Sequence, residues 1–142
     1  MATFFRSSPE APLHPLPRLL LVALGAFAFG GVWLVVAAMR GDRAGWMVLV
    51  AALNAVTWLR ITHTRPGALR RLCAVLATSA SIALGEWLVA SLPIAQAMNQ
   101  LPLETARRMG PDFGWMLIRL GNTPLDWLTI IVALMLAAWF GH

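Results

Sequence analysis

Lysine is absent from this 142-residue chain and cysteine occurs once, at Cys73. One cysteine can form neither an internal disulfide nor a thiolate metal cluster. Charge is also scarce: 12% of residues are charged and 59% hydrophobic, against about 25% and about 45–50% in ordinary soluble domains. The net charge of +5 rests on eleven arginines, spread between and beside apolar runs. Nucleic-acid binding needs a gathered basic face, so that partner class is excluded. His14, His63 and His142 are the only histidines, and all lie outside the apolar runs, which argues against paired haem ligation within a membrane. Glycine-rich phosphate loops, a histidine–glutamate zinc helix and a serine nucleophile elbow are missing too. The sequence points to no catalytic residue, metal ligand or cofactor.

What it does contain is apolar length. Mean hydropathy is +0.72, and crossing a bilayer as a helix takes about 20 apolar residues. Four runs approach or reach that length, at 19–39, 44–62, 72–92 and 124–140. The expected fold is therefore an all-α membrane protein with four transmembrane helices and short amphipathic interfacial helices in the connection between helices 3 and 4. Residues 1–18, with four prolines, are expected to form a mobile tail ahead of a transmembrane domain over 19–142. The run 19–39 exceeds the apolar region of about 7–15 residues in a cleaved signal peptide and reads as a retained span.

Local chemistry marks the boundaries. Arg40-Gly41-Asp42-Arg43 reads as a tight turn in which Asp42 bonds nearby amides. Pro93 is expected to close the third span, and Thr123-Pro124-Leu125-Asp126 to cap the start of the fourth. The connection 93–123 is too apolar for a solvated loop. Ile94, Ala97, Met98 and Leu101 fall at helical spacing, as do Phe113, Met116, Leu117 and Leu120, while Glu104 and Arg108 form an i, i+4 pair. A helix over 111–120 is too short to span, at about 15 Å, and is expected to lie flat on the outer surface.

Orientation follows from arginine placement. Arg60, Arg65, Arg70 and Arg71 crowd the short loop between spans two and three, which places that loop and both termini in the cytoplasm of a bacterial inner membrane. Under this topology Trp33, Trp46, Trp87, Trp115 and Trp127 lie toward the outer boundary, and Trp58 and Trp139 toward the inner one.

Few residues are candidates for a role beyond packing. Glu86 is an acid inside a span and hence a functional candidate by default. It lies six residues, about 9 Å, from the expected outer end of its span, within reach of Arg40, Arg43 or Arg107. Asn54 and Ser81 both fall near mid-depth on consecutive spans and are expected to meet in a hydrogen bond. The small-residue rows Ala77, Ser81, Gly85 and Ala26, Gly30 suit close helix approach. Two functions remain. One is a non-catalytic accessory or interaction subunit of a larger membrane assembly, docking a protein partner or a second copy through Phe113, Trp115, Met116, Leu117 and Leu120. The alternative is a small proton-coupled transporter or lipid-handling protein in which Glu86, with Arg107 or Arg108, faces a cavity under the outer helices.

Overall fold

A computed structural model describes residues 15–61 and 67–140. Residues 1–14 of the tail expected over 1–18, and the connecting residues 62–66 with His63 and Arg65, lie outside the described residues, while 15–18 belong to the first helix. Six α-helices follow one another: α1 (Pro15–Arg40), α2 (Met47–Ile61), α3 (Ala68–Ala97), α4 (Pro102–Arg108), α5 (Pro111–Gly121) and α6 (Pro124–Phe140). Helix α1 from Leu19, and α3, are long and apolar enough to cross a membrane. Helices α5 and α6 together pass the same test but are bent by 105° at their junction, so the described residues hold two or three candidate spans.

Each boundary has a local cause. Helix α1 ends with Arg40 in its last turn and Gly41 in the left-handed region (φ 71), where the Gly41 amide bonds the Ala37 carbonyl at 3.0 Å. This is the αL cap that glycine adopts without strain. The Asp42 carboxylate then accepts the Ala44 amide at 2.8 Å, as the turn chemistry predicts. Ala44 itself is left-handed (φ 49), a conformation no helix can contain. Helix α2 accordingly begins at Met47 and not at residue 44.

The third helix departs furthest from expectation. It starts at Ala68 and passes through Pro93 to Ala97, so Pro93 does not close it and the first apolar stripe of the connection is the end of α3. Proline removes one helical hydrogen bond and strains the preceding turn. Here the lost bond falls in a section braced from outside: the buried Ser91 hydroxyl donates to the Leu88 carbonyl at 2.7 Å and is 3.0 Å from the Pro102 carbonyl in the first turn of α4. The true stop is Asn99 (φ 52), with Asn99 N–H bonding the Gln96 carbonyl and Gln100 N–H the Ala95 carbonyl. That is a Schellman motif with asparagine in the glycine position. Helix α6 begins as expected: the Asp126 carboxylate accepts both the Thr123 amide and hydroxyl at 2.8 Å, and the Thr123 hydroxyl accepts the Asp126 amide at 3.3 Å.

Helices α2 and α3 touch each other, and both touch α1 and α6, whereas α1 and α6 stand apart. The four form a rhombus with α2–α3 as its short diagonal. Its core combines Phe29, Trp33 and Ala37 of α1 with Val48, Ala51 and Ala52 of α2, Ile82 and Val89 of α3, and Ala133 and Ala137 of α6. Alanine at these positions lets backbones come close. Gly30 serves the same end, since a Cβ there would stand 3.1 Å from Leu84. The outward faces remain apolar, with Leu24, Leu76, Ile131 and Met135 each more than half exposed. An exposed apolar surface this continuous is consistent with contact with lipid.

Candidate functional site

At one end of the bundle the α1–α2 turn meets the α5–α6 junction over Glu86, and the chain's few interior charges gather there. Arg43 is the centre. Its Nη2 donates to the Leu117 carbonyl at 3.2 Å and its Nη1 to Asn122 Oδ1 at 3.3 Å, while Nη1 lies 3.8 Å from Glu86 Oε2. The Glu86 side chain is 7% exposed and that of Arg43 30%. A lone carboxylate at this depth would be expensive, and the guanidinium, delocalised and rich in donors, is the cation suited to pairing with it.

The surrounding sequence makes room for this arrangement. The Trp33 indole N–H donates to the Arg43 carbonyl at 3.0 Å, fixing the turn from below. Trp33 is fully buried because Gly85, one residue before Glu86, has no side chain: a Cβ there would overlap the indole ring. Gly121 does the same for Arg43, whose guanidinium lies directly against its Cα, and Gly45 for the Asp126 carboxylate. Trp87 rests on Gly114 of α5 and donates to the Ala106 carbonyl at 3.1 Å, which ties both short helices to α3. Trp33 and Trp87 therefore pack inward against glycines.

Beside Glu86 lies a cavity of about 320 Å³ between α3, α5 and α6. Its walls are mainly apolar, with Ile82, Ala83, Ile130 and Leu134 below and Trp87, Trp115 and Trp127 around the upper part; Glu86 and Asn122 supply its polar end. At that end the Asn122 side-chain amide faces the Glu86 carboxylate, with Arg43 on the other side of both.

Of the residues singled out from sequence, the structure places Glu86 and the Leu117 carbonyl in this cluster and Trp115 on the cavity wall beside it, and the others elsewhere. Arg43 is the partner of Glu86; Arg40 pairs with Asp42 at 3.3 Å, Arg108 with Glu104 at 2.7 Å, and Arg107 is exposed on α4. Asn54 donates to the Gly25 carbonyl of α1 at 3.3 Å, and Ser81 to the Ala77 carbonyl of its own helix at 2.9 Å, so the expected Asn54–Ser81 bond is replaced by two backbone bonds. On α5, Gly114 and Ile118 are buried against the bundle and Leu117 is half-buried. Phe113, Trp115, Met116 and Leu120 are exposed. Sequence reasoning passed over Asn122, Gly121 and Gly45; a glycine–asparagine pair between two apolar helices was the one signal that could have marked the first two.

Among the described residues no group of three or more His, Cys, Asp or Glu could hold a metal ion. No family model, curated protein or solved structure matches the chain.

Proposed function

We propose that this chain is a four-span protein of the bacterial inner membrane that acts as a non-catalytic accessory or interaction subunit of a larger membrane assembly. In this reading α1, α2, α3 and α6 cross the bilayer and both termini are cytoplasmic. Helices α4 and α5 lie on the outer side. The 105° bend between α5 and α6 supports this, since a helix nearly perpendicular to a span lies close to the membrane plane. Helix α2, about 22 Å long at 15 residues, is short for a hydrocarbon core of about 30 Å, and local thinning or snorkelling of Arg60 accommodates the difference.

The observation that carries the reading is the split character of α5. Its inner side is locked by the Trp87–Gly114 contact and by Arg43 on the Leu117 carbonyl. Its other side presents Phe113, Trp115, Met116 and Leu120, all at least 47% exposed. A rigid base that leaves Phe113, Met116 and Leu120 exposed, with Trp115 edge-on to Trp127 beside them, is the form of a docking helix. The test is purification in mild detergent from native membranes with mass spectrometry. A stoichiometric protein partner, or a second copy, is expected with the wild-type chain. It is expected to be lost from Phe113→Ser/Met116→Ser while the four spans remain inserted. Retention of the partner by that variant would overturn the reading.

The cavity beside Glu86 supports a second reading, a lipid-handling protein, because an intramembrane acid facing a cavity is the usual mark of a ligand or ion path. Arg107 and Arg108 play no part in this version; Arg43 takes their place.

A further inference from the structure

Helix α5 packs sideways against the last part of α3. Trp87, Ala90 and Ile94 of α3 meet Leu117 and Ile118 of α5, and Gly114 lies on the Trp87 ring. In the four-span reading the opposite side of α5 therefore faces along the membrane plane, where a neighbour in the same bilayer can reach it. Asp112, Trp115, Met116, Arg119 and Leu120 fall there at i, i+3, i+4, i+7 and i+8, the spacing of one helix face. All five are exposed, and together they line an open cleft of about 330 Å³.

The charges on this face have an order. Asp112 stands in the first turn of α5 and Arg119 in the last, with Met116 between them, and neither makes an ion pair among the described residues. Seven residues separate the two, about 10 Å along the helix. An acid at the start and a base at the end also suit the dipole of the helix itself, but that does not require both on one face around an apolar centre. When two copies of α5 lie antiparallel about a two-fold axis between residues 115 and 116, Asp112 of each copy meets Arg119 of the other. Met116 of each then meets Trp115 of the other. A two-fold axis along the membrane normal produces this pairing with both copies in the same topology, because it reverses any helix that lies in the plane. The face is self-complementary, as an isologous interface requires. An anionic headgroup would suit Arg119 and repel Asp112, and a foreign helix would have to present the reversed order of charges, which a second copy carries by symmetry.

We propose that α5 is a self-association helix through which two copies of the chain form an antiparallel, two-fold pair in the membrane plane. The inference rests on the docking reading of α5 and names its occupant. Five side chains from each copy are fewer than the roughly 20–30 residues a side of a stable soluble interface, so the pair is reversible. Confinement of both copies to one bilayer in one orientation lowers the entropic cost that so small an interface must offset.

The test uses the full chain in a Cys73→Ser background, reconstituted in phosphatidylcholine liposomes. Copies labelled at the N-terminus with donor or acceptor dye should show energy transfer above that of random collisions, saturating as the protein-to-lipid ratio rises. Asp112→Arg or Arg119→Asp alone sets like charges against each other at both ends of the pair and should weaken association about tenfold or more. An equal mixture of the two variants should restore it, because opposite charges then meet at both ends, and so should the double variant Asp112→Arg/Arg119→Asp. Restoration by mixing cannot arise from a change in the stability of either chain. Copper-catalysed oxidation should join two copies through Met116→Cys, which lies within about 2 Å of its symmetry mate along the axis, and not through Leu120→Cys, about 13 Å from its own. Absence of energy transfer without the charge variants, transfer unaffected by the single reversals, or failure of the mixture to restore it would each overturn the proposal. A chain that is monomeric in liposomes yet co-purifies with a different protein through α5 would overturn self-association and leave the docking reading standing; a monomeric chain with no partner would overturn both.

Discussion

Removing Arg43 should harm the protein more than removing Glu86, and removing both should be milder than the two losses added. At the observed separation of 3.8 Å, two unit charges attract by about 4 kcal/mol at an effective dielectric constant of about 20. Arg43→Leu leaves the Glu86 carboxylate, 7% exposed, with no cation within reach; breaking a buried pair in this way costs about 3–5 kcal/mol. Glu86→Leu leaves Arg43 with its bonds to Leu117 and Asn122 and 30% exposed, so the loss should be nearer roughly 1–2 kcal/mol. The double variant forfeits those two bonds as well but strands no charge. Its coupling energy should therefore reach about 2–4 kcal/mol, well above the roughly 0.5 kcal/mol expected of independent sites. Reversible unfolding of the reconstituted chain by SDS, followed by tryptophan emission, measures all four corners of the cycle. Additive losses would refute the claim that Arg43 and Glu86 form one energetic unit, and a milder effect for Arg43→Leu than for Glu86→Leu would refute its asymmetry.

Other consequences of the same contacts can be tested singly. Gly85→Val should displace Trp33 from its fully buried position and destabilise the bundle by about 1–3 kcal/mol through overpacking, read by the same unfolding assay, whereas Gly31→Ala, where nothing lies within 4 Å of the added carbon, should change stability by no more than about 0.5 kcal/mol. Asn54→Leu should cost only about 0.6 kcal/mol, the usual worth of a membrane hydrogen bond, and Ser81→Ala no more than that. In a variant with Trp115 as the sole tryptophan, aqueous iodide should quench emission less than it quenches free tryptophan if α5 is covered by lipid or a partner; equal quenching would leave that helix solvated.

Features written in local chemistry were legible from the sequence, and features that depend on helix rotation were not. Thr123, Pro124 and Asp126 fixed the start of α6 because a capping box is complete within four residues. The end of α3 was misplaced because Pro93 is a strong stop only when nothing braces the turn before it, and the brace, Ser91 against the Pro102 carbonyl, comes from outside the helix. Depth was computable for Glu86, so Arg43 stood among its three candidate partners. Depth says nothing about azimuth, and so Asn54 was paired with Ser81 when its partner is a carbonyl of α1. Trp33 and Trp87 illustrate the same limit: their inward packing depends on Gly85 and Gly114 of other helices, a pairing invisible in a linear pattern.

The measurement that bears most directly on the account is sided labelling of single cysteines in a Cys73→Ser background. Cysteines at Asp42 and Arg107, both exposed, should react with a membrane-impermeant thiol reagent added from the periplasmic side. Those at Thr64 and Trp139 should react only after permeabilisation. That pattern requires α2, α3 and α6 each to cross and sets the Arg43–Glu86 cluster at the outer end. Labelling of positions 42 and 64 from the same side would show that α2 does not span. Labelling of 107 and 139 from the same side would make α5–α6 a re-entrant pair, and either result would contradict the four-span account.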